Sequence, residues 1–490
     1  MKKLLLYTVF LILGGEFSSA QNNNPAAKAI VGFTNDDDLA HAGIGICIID
    51  ARSGQVVASL NPDLSLIPAS SMKVVTTGAA LGILGPDYVF KTELQYDGHI
   101  DREDGTLHGN LYIKGYGDPT LGSDHMPGVL GLDGVMDTFS KEIQRQKIVY
   151  VSGRVVGDGT YFDSEQAIGS NWQWDDIGNG YGAGAHGLNI NENFYYLRIR
   201  QNTMVGSTPA IEVVTPKLPE TEIINKLTIA PPDADTETAI YAPPYSDEII
   251  LSGKIPSGEG TVSVKGSVPD PPYLAAYHLH EALTSKYGIV CRKKPLNVSE
   301  LKAAQTVDRT TFFTYRSPNL LTIVGEANKA SNNMFVEALL RAMAKFQGKE
   351  GTPSAGCEIV TGYWKDKGID MRGFFMEDGS GLSSRSAVTS RQLALILQLL
   401  NNDQVIGPAF YNSLAKAGES GTLKSMFKNT AAVGRLRAKS GSMTRVRSYS
   451  GYIDRKDGSR WCFSVMVNNY TCSSADMKAK LEKLLTRLCE

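Results

Sequence analysis

The sequence is poor in histidine and lacks the short motifs of several peptidase classes. Its seven histidines all lie at or before position 280, so a Ser-His-Asp triad would need a histidine from the middle of the chain. There is no GxSxG or HExxH segment, no CxxC pair and no Cys/His spacing typical of a zinc site. His278-Leu279-His280 is better explained as surface helix than as a metal site. The sequence therefore predicts neither a metal nor a cofactor.

A strong charge of either sign is also missing. The 49 Lys and Arg residues nearly balance the 51 Asp and Glu residues, for a net charge of −2, and nothing predicts a nucleic-acid partner. Beyond the N-terminus no stretch is apolar enough for a transmembrane segment. With 42% hydrophobic and 20% charged residues, the 490-residue chain has an ordinary globular composition, and its length suits roughly two to four domains.

The N-terminus has the pattern of a secretory signal peptide. Lys2 and Lys3 precede an apolar run over 4–13, and Ser18-Ser19-Ala20 supplies the small residues that a signal peptidase recognises. The apolar run is shorter than the ~20 residues of a membrane-spanning helix, which disfavours an anchor. We therefore predict a signal peptide over 1–20, and hence export.

Export permits disulfides among the six cysteines, but the spacing does not choose a pairing. Cys47 and Cys462 lie in strongly apolar, strand-like runs. Buried free thiols explain these two positions at least as well as a disulfide does.

The secondary-structure signals indicate that both ends of the chain form one unit around an inserted middle. Strand patterns over 43–60 are followed by a helix from Ser70 to Leu84, which Gly85-Pro86 ends. From 92 to about 290, short alternating runs predict mostly β-structure. After helices within 319–346, the sequence predicts three strands, over residues 434–439, 448–453 and 460–468.

An amphipathic helix is predicted at the C-terminus, from Met477 to Leu488. Its apolar stripe consists of Met477, Leu481, Leu484, Leu485 and Leu488. The pattern favours a helix packed on the preceding sheet. The alternative, given the basic opposite face, is a peripheral contact with a membrane surface.

Three short patterns that carry chemistry occur in order along the chain: Ser70-x-x-Lys73, Ser331-x-Asn333 and Lys439-Ser440-Gly441. Together they are the signature of β-lactamases and penicillin-binding proteins. SxxK alone is weak, because it recurs at Ser299, Ser413 and Ser425. Context selects Ser70, which follows Pro68-Ala69 and opens an apolar helix. There Lys73 lies on the same helical face as the serine.

These residue types suit acyl transfer. A serine hydroxyl needs a neighbouring base, and a buried lysine close to a second cation has a lowered pKa. We expect Ser70 as the nucleophile and Lys73 as its base, with Lys439 as the second cation. Ser331 would relay a proton to the leaving amine, and Asn333 would hold a substrate amide. The backbone N–H groups of Ser70 and Ser442 would form an oxyanion hole.

Further segments accompany these motifs, in the order Pro68-Ala69, Gly117-Asp118-Pro119-Thr120-Leu121, Trp172-Gln173-Trp174-Asp175-Asp176, Asn191-Glu192-Asn193, Met334, Glu377-Asp378-Gly379-Ser380-Gly381-Leu382-Ser383, Ala417-Gly418, Gly421-Thr422-Leu423 and Arg437-Ala438. With them, the chain resembles the class C low-molecular-mass penicillin-binding proteins, the D-alanyl-D-alanine carboxypeptidase/endopeptidases, from about residue 28 to the C-terminus. The 257 residues between Lys73 and Ser331 match that family's habit of inserting domains there.

The resemblance implies an α/β (α+β) fold, in which a penicillin-binding/β-lactamase-like transpeptidase domain is split by inserted, mostly β domains. The expected boundaries are 25–92 and 292–490 for the peptidase domain, 93–190 and 262–291 for a second domain, and 191–261 for a third. It also implies hydrolysis of peptidoglycan stem peptides or cross-links in the periplasm, without a cofactor. β-Lactam antibiotics would be covalent inhibitors.

Substrate contacts are implied residue by residue. Ser440, where the family more often has threonine, would bind the terminal carboxylate beside Gly441 and Ser442. The aspartate of the tryptophan-rich segment would contact the free amino end of a diaminopimelate side chain, and its spacing to Tyr181 selects Asp176, although a turn cap also explains this residue. After Ser383 the family usually has arginine directly, whereas here Ser384 intervenes before Arg385.

Two other functions are compatible with the motifs. A β-lactamase would need a deacylating water, which class A enzymes position with a glutamate in an ExxLN segment, and no such segment exists here. A non-catalytic cell-wall-binding or sensor protein could keep the fold. The complete set of catalytic residue types argues against that alternative.

Overall fold

The computed structural model describes residues 24–163, 167–169, 171–301 and 308–490. The predicted signal peptide over 1–20 lies outside the described residues. Within them, the α-helices are α1 (Pro25–Thr34), α2 (Met72–Leu84), α3 (Leu132–Arg145), α4 (Trp174–Ile177), α5 (Pro271–Ser285), α6 (Leu320–Ala330), α7 (Asn333–Phe346), α8 (Pro353–Asp366), α9 (Ser390–Asn402), α10 (Gly407–Ser413) and α11 (Ser474–Cys489).

The strands of the described residues are β1 (Gly43–Asp50), β2 (Val56–Leu60), β3 (Ser65–Leu66), β4 (Val89–Tyr96), β5 (His99–Ile100), β6 (Thr106–His108), β7 (Leu111–Gly115), β8 (Tyr150–Val151), β9 (Val155–Asp158), β10 (Phe194–Arg200), β11 (Ala210–Thr215), β12 (Glu222–Ala230), β13 (Glu237–Tyr241), β14 (Glu248–Pro256), β15 (Thr261–Ser267), β16 (Val290–Cys291), β17 (Leu296–Asn297), β18 (Thr310–Asn319), β19 (Val388–Thr389), β20 (Ala415–Lys416), β21 (Leu436–Met443), β22 (Val446–Asp454) and β23 (Arg460–Asn468).

One six-stranded antiparallel sheet joins the two ends of the chain, in the order β2-β1-β23-β22-β21-β20. α1 and α11 cover one face of this sheet, and α9 covers the other, with α2 and α7 in the same apolar core. The three strands predicted near the C-terminus and the unit built from both ends are therefore confirmed.

The inserted region is built from several smaller sheets. A five-stranded sheet has the order β17-β9-β7-β4-β18, and further sheets contain β16-β8-β6-β5, β12-β14-β13 and β11-β10-β15. β17 and β18 lie in the sequence that we assigned to the peptidase domain, yet they pair with β9 and β4. Because strand pairing here crosses the expected limits near 92 and 292, the division into domains stays a prediction.

The C-terminal helix, α11, packs on the large sheet, as the sequence pattern favours. Met477, Leu481, Leu484, Leu485 and Leu488 are all buried, in a core shared with α1 and the large sheet. Burial there removes this stripe from contact with a membrane surface. No helix among the described residues has the length and apolarity to cross a membrane.

All six cysteines are free, and Cys47 and Cys462 are buried within β1 and β23. Burial raises the pKa of the Cys47 thiol to about 12. Desolvation therefore keeps this thiol protonated, which supports a buried free thiol at this position rather than a disulfide.

Candidate active site

Ser70 lies in a tight turn at the start of α2. The predicted helix over Ser70–Leu84 begins at Met72, and a single 3₁₀ turn, Ala69–Ser71, precedes it. Ala69 has a positive φ of 46°, an unfavourable conformation for a residue with a side chain. The turn is anchored by Ser448 on β22, whose hydroxyl lies 2.8 Å from Ser71 Oγ and 2.5 Å from the Pro68 carbonyl oxygen, to which it donates.

Gly441 on β21 allows the sheet to approach this turn. A Cβ at Gly441 would lie 2.6 Å from the Pro68 carbonyl oxygen and 2.9 Å from the Ser70 backbone nitrogen. Both atoms belong to the backbone, so neither can swing aside. The glycine of the Lys-Ser-Gly motif is therefore a packing requirement of the serine turn.

We expect Gly441→Ala to lower the rate of acylation by about 100-fold, because a shift of roughly 1 Å in a nucleophile has an effect of that order. Acylation by a fluorescent penicillin measures this rate. Gly362→Ala is the matched control, since a Cβ there meets nothing within 4 Å. Equal rates for the two variants would contradict the packing role of Gly441.

Lys73 is buried on the first turn of α2, and its amine has three partners. Nζ donates to Ser70 Oγ at 3.0 Å, to Asn333 Oδ1 at 2.5 Å and to the Ser380 carbonyl oxygen at 2.8 Å. The structure thus brings together three predicted site residues that span more than half of the chain. Burial lowers the pKa of Lys73 to about 7, against the opposing charges of Asp378 and Glu337.

The sequence analysis missed Glu337, a fully buried carboxylate close to this lysine. Glu337 accepts hydrogen bonds from the backbone N–H groups of Gly379 at 3.3 Å and Ser380 at 2.7 Å, so it fixes the carbonyl that holds Lys73. Burial and the charge of Asp378 raise the pKa of Glu337 to about 7. A sequence signal existed, because Glu337 follows Asn333 by four positions and therefore shares its helix face.

Asp378 stabilises the glycine-rich turn over residues 378–383 by binding its backbone. Its carboxylate accepts from the N–H groups of Gly381 at 2.9 Å and Ser383 at 2.7 Å, and from Trp172 Nε1 at 2.8 Å. Gly381 packs against the serine turn, since a Cβ there would lie 1.9 Å from the Ala69 carbonyl oxygen. The glycine-rich segment therefore acts as a structural turn that also reaches Lys73 through Ser380.

Ser331 and Lys439 form a second contact of the site. Lys439 Nζ donates to Ser331 Oγ at 2.9 Å and to the Ser440 carbonyl oxygen at 2.7 Å. Ser331 connects α6 to α7 with a φ of 60°. Burial, with the charge of Lys73, holds the pKa of Lys439 well below its usual range. Lys73 thus contributes to the lowered pKa of Lys439, whereas burial is what lowers the pKa of Lys73 itself.

A small cleft of about 260 Å³ opens beside Ser70 and Ser440. Ser440 Oγ donates to Thr422 Oγ1 at 2.8 Å, and Ser442 also lines the cleft. Two cations that we did not predict, Arg447 and Lys478, line it as well. Arg447 lies opposite Ser442 in the β21–β22 register, five residues further along the hairpin, so the hairpin places a positive charge beside this cleft.

A larger cleft of about 500 Å³ adjoins the first and shares Ser70, Ser331 and Ser442 with it. Asp175, Asp176 and Tyr181 line it, together with Ser331 and Asn333. Tyr181 Oη donates to Asp176 Oδ1 at 3.0 Å. Burial raises the pKa of Asp176, and the charge of Asp175 adds to the rise. A cationic ligand would relieve this uncompensated negative charge.

Arg385 does not line either cleft. Its Nη1 donates to Asn171 Oδ1 at 2.7 Å, whereas Ser384 lines the larger cleft. Ser384, the residue that intervenes before Arg385, thus lies at the cleft, while the Arg385 side chain binds Asn171 instead. In the part of the chain that the structure describes, no group of three or more His, Cys, Asp or Glu residues could hold a metal ion, and the His278-Leu279-His280 segment lies on α5.

Comparison with known proteins gives a consistent result. Residues 26–488 match the D-Ala-D-Ala carboxypeptidase 3 (S13) family. The chain is 28% identical over 449 residues to the D-alanyl-D-alanine carboxypeptidase of Actinomadura sp. strain R39, covering 89% of this chain and 79% of that protein.

Solved structures share the fold. The crystal structure of penicillin-binding protein 4 from Haemophilus influenzae has a TM-score of 0.78 and 22% sequence identity, and the match covers 94% of this chain and 98% of that one. The same protein in complex with a β-lactam matches with a TM-score of 0.74 at 20% identity, with the same coverage of both chains. The predicted fold class is therefore confirmed.

Proposed function

The chain belongs to the D-Ala-D-Ala carboxypeptidase 3 (S13) family, so it is a serine-type D-alanyl-D-alanine carboxypeptidase, and we propose that Ser70 is its nucleophile and Lys73 its general base. The observation that carries the assignment is the 3.0 Å contact between Lys73 Nζ and Ser70 Oγ, at a lysine whose pKa is about 7. A substantial fraction of such a lysine is neutral near pH 7, and a neutral amine can accept the serine proton.

Acylation then runs as follows. The Ser70 proton passes to Lys73 Nζ while Oγ bonds to the carbonyl carbon of the penultimate D-alanine. Backbone N–H groups of Ser70 and Ser442 stabilise the oxyanion. The C–N bond breaks, and the leaving amine takes the proton that Lys73 accepted, relayed through Ser331, whose hydroxyl is held by Lys439, so that Lys73 is neutral again. Water then attacks the ester, with Lys73 again as base, and Ser70 is regenerated.

The two clefts divide the substrate. The cleft with Ser440 and Ser442 receives the carboxylate of the leaving residue, beside the positive charges of Arg447 and Lys478. The cleft with Asp176 and Tyr181 receives the amino end of the third residue of a peptidoglycan stem peptide. Both carboxypeptidase and endopeptidase substrates fit this division, because a 4→3 cross-link also carries a carboxylate on the leaving side.

β-Lactams would acylate the same serine, because their strained amide presents a carbonyl and a carboxylate in similar positions. The carboxylate would again face Ser440, and the carbonyl would face Ser70. The proposal also includes a periplasmic location, which the signal-peptide pattern of the first 20 residues supports.

A digest of purified muropeptides by the mature protein, analysed by mass, tests the function. Release of D-alanine from pentapeptides or cleavage of cross-linked dimers supports it, and the ratio of the two products gives the balance of activities. Intact pentapeptides and dimers after prolonged digestion would contradict it.

We expect Asp176→Asn to raise KM for stem peptides with an amino-terminated third residue by about fivefold, because it removes a partly buried charge worth roughly 1 kcal/mol. Acylation by a penicillin without that amino group should be unchanged. Asp175→Asn is the matched control, since Asp175 lines the same cleft but receives no bond from Tyr181. An equal effect of both variants, or of Asp175→Asn alone, would contradict the assignment to Asp176.

A further inference from the structure

The Asn191-Glu192-Asn193 segment of the inserted region reaches the Ser331-Asn332-Asn333 motif. Asn332 Nδ2 donates to Glu192 Oε2 at 2.7 Å. Asn333 Nδ2 donates to the Tyr181 carbonyl oxygen, also at 2.7 Å. Both amide side chains of the motif are therefore held by acceptors from the inserted region, 140 and 152 residues earlier in the chain.

The backbone that carries Glu192 is unusual. Asn191, Glu192 and Asn193 have φ values of 51°, 54° and 55°, three consecutive left-handed residues with side chains. Such residues cost of order 1 kcal/mol or more each, and they persist only where surrounding contacts impose them. Here Asn191 Nδ2 donates to the Phe194 carbonyl oxygen at 2.8 Å, and Asn193 Nδ2 donates to the Gly184 carbonyl oxygen at 2.9 Å. The turn is therefore fixed in a conformation that directs Glu192 inward.

The Glu192 side chain is 7% exposed, and its carboxylate contacts several polar side chains. Besides Asn332, it accepts from Ser123 Oγ at 2.5 Å and lies 3.1 Å from His125 Nδ1. A buried carboxylate with several donors is held in one position, since losing a donor would leave a buried charge uncompensated. Glu192 is thus a rigid acceptor for the Asn332 amide.

Asn332 transmits this position to the catalytic motif. Its Oδ1 caps α7 by accepting from the Phe335 N–H at 3.2 Å, while its Nδ2 binds Glu192. The flanking Ser331, in a left-handed conformation, and Asn333, the first residue of α7, take their directions from this cap. Ser331 contacts Lys439, and Asn333 contacts Lys73, so a shift of the cap would disturb both lysines.

We propose that Glu192 is a positioning residue for the Ser331-Asn332-Asn333 motif, through its hydrogen bond to Asn332, so that the inserted region forms part of the scaffold of the active site. The inference rests on the proposed roles of Ser331 and Asn333. It gives the inserted region a function in acylation, and it makes an otherwise unfavourable turn part of the catalytic architecture.

An exchange of donor and acceptor tests the contact. Asn332→Asp keeps a good helix cap but places two carboxylates against each other. We expect it to lower kcat for muropeptides and the acylation rate by about 10- to 100-fold. Adding Glu192→Gln restores a donor opposite the introduced carboxylate, so the double variant should regain most of the rate, whereas KM should change little throughout.

The control is Asn332→Asp combined with Glu326→Gln. Burial, together with the charge of Glu192, raises the pKa of Glu326 on α6, so Glu326 is near enough to Glu192 to act through space, but it makes no bond to Asn332. This double variant should keep the low acylation rate of Asn332→Asp. The proposal would be overturned if Glu326→Gln restored the rate as well as Glu192→Gln does, or if Asn332→Asp lost no activity. It would also be overturned if Glu192→Gln restored no rate in a double variant that keeps the wild-type melting temperature. Full activity of Ser331→Ala would instead overturn the proposed function.

Discussion

Ser70→Ala should abolish hydrolysis of D-Ala-D-Ala peptides, with kcat lower by on the order of 10⁵-fold or more, because nothing else in the site replaces the attacking oxygen. The turn that carries Ser70 is held by Ser71, Ser448 and Gly441 rather than by the Ser70 side chain. The variant should therefore keep its fold and still bind substrate. Release of D-alanine from a purified pentapeptide measures kcat.

The chain offers a matched control for this substitution. Ser425 opens another SxxK pattern but is exposed and lines neither cleft beside Ser70. Ser425→Ala should keep wild-type activity. If Ser70→Ala retained more than about one per cent of kcat while Ser425→Ala behaved normally, the nucleophile would have to be another residue.

Lys73→Met should have the second-largest effect, a fall in the acylation rate of about 10³-fold, within the range ascribed to general bases. Methionine preserves the apolar stem of the buried side chain but offers no proton acceptor. Lys428→Met, at the exposed lysine of the Ser425 pattern, is the control and should be silent. Stopped-flow acylation by a chromogenic β-lactam measures both rates.

The pH dependence of the wild-type enzyme is a second test of Lys73 as the base. Lys73 acts as a base only when neutral, and its pKa is about 7, so the acylation rate should fall about tenfold for each pH unit below that value. Because Lys439 lies close by with its pKa also lowered, the limb reports an apparent value for both lysines. Lys73→Met should lose this acid limb. A flat wild-type profile between pH 5 and pH 8 would contradict the assignment of Lys73 as base.

The motif residues could be predicted because their chemistry is local in sequence. The Ser70-x-x-Lys73 spacing alone predicts that the two side chains lie close together, and the strand pattern around Lys439 predicts that this lysine lies on a strand, which is β21. The three C-terminal strands follow from alternation and turn signals within about 35 residues. In each case, the information lies within one or two elements.

The supports of these residues could not be predicted, because they come from distant segments. Glu337 acts through the backbone of Ser380, and Ser448 through the carbonyl of Pro68, and neither contact leaves a periodic signal. The left-handed turn at Glu192 even opposes local preference, since only its surroundings make it favourable. The pairing of β18 with β4 could not be predicted for the same reason, because it joins segments more than 200 residues apart.

The charges around Lys73 show why such supports matter. Two lysines and two carboxyl groups, Glu337 and Asp378, are all fully buried within one cluster. Burial alone would lower the pKa of Lys73 further, and the two carboxyl groups oppose that shift. The base therefore titrates near neutral pH because of residues that never touch the substrate.

The most direct test of the account is the mass of the protein after reaction with a penicillin, followed by peptide mapping. We expect one penicilloyl group per chain, on the peptide that contains Ser70, released far more slowly than it forms. No added mass, or a modification on any peptide that lacks Ser70, would contradict the central claim.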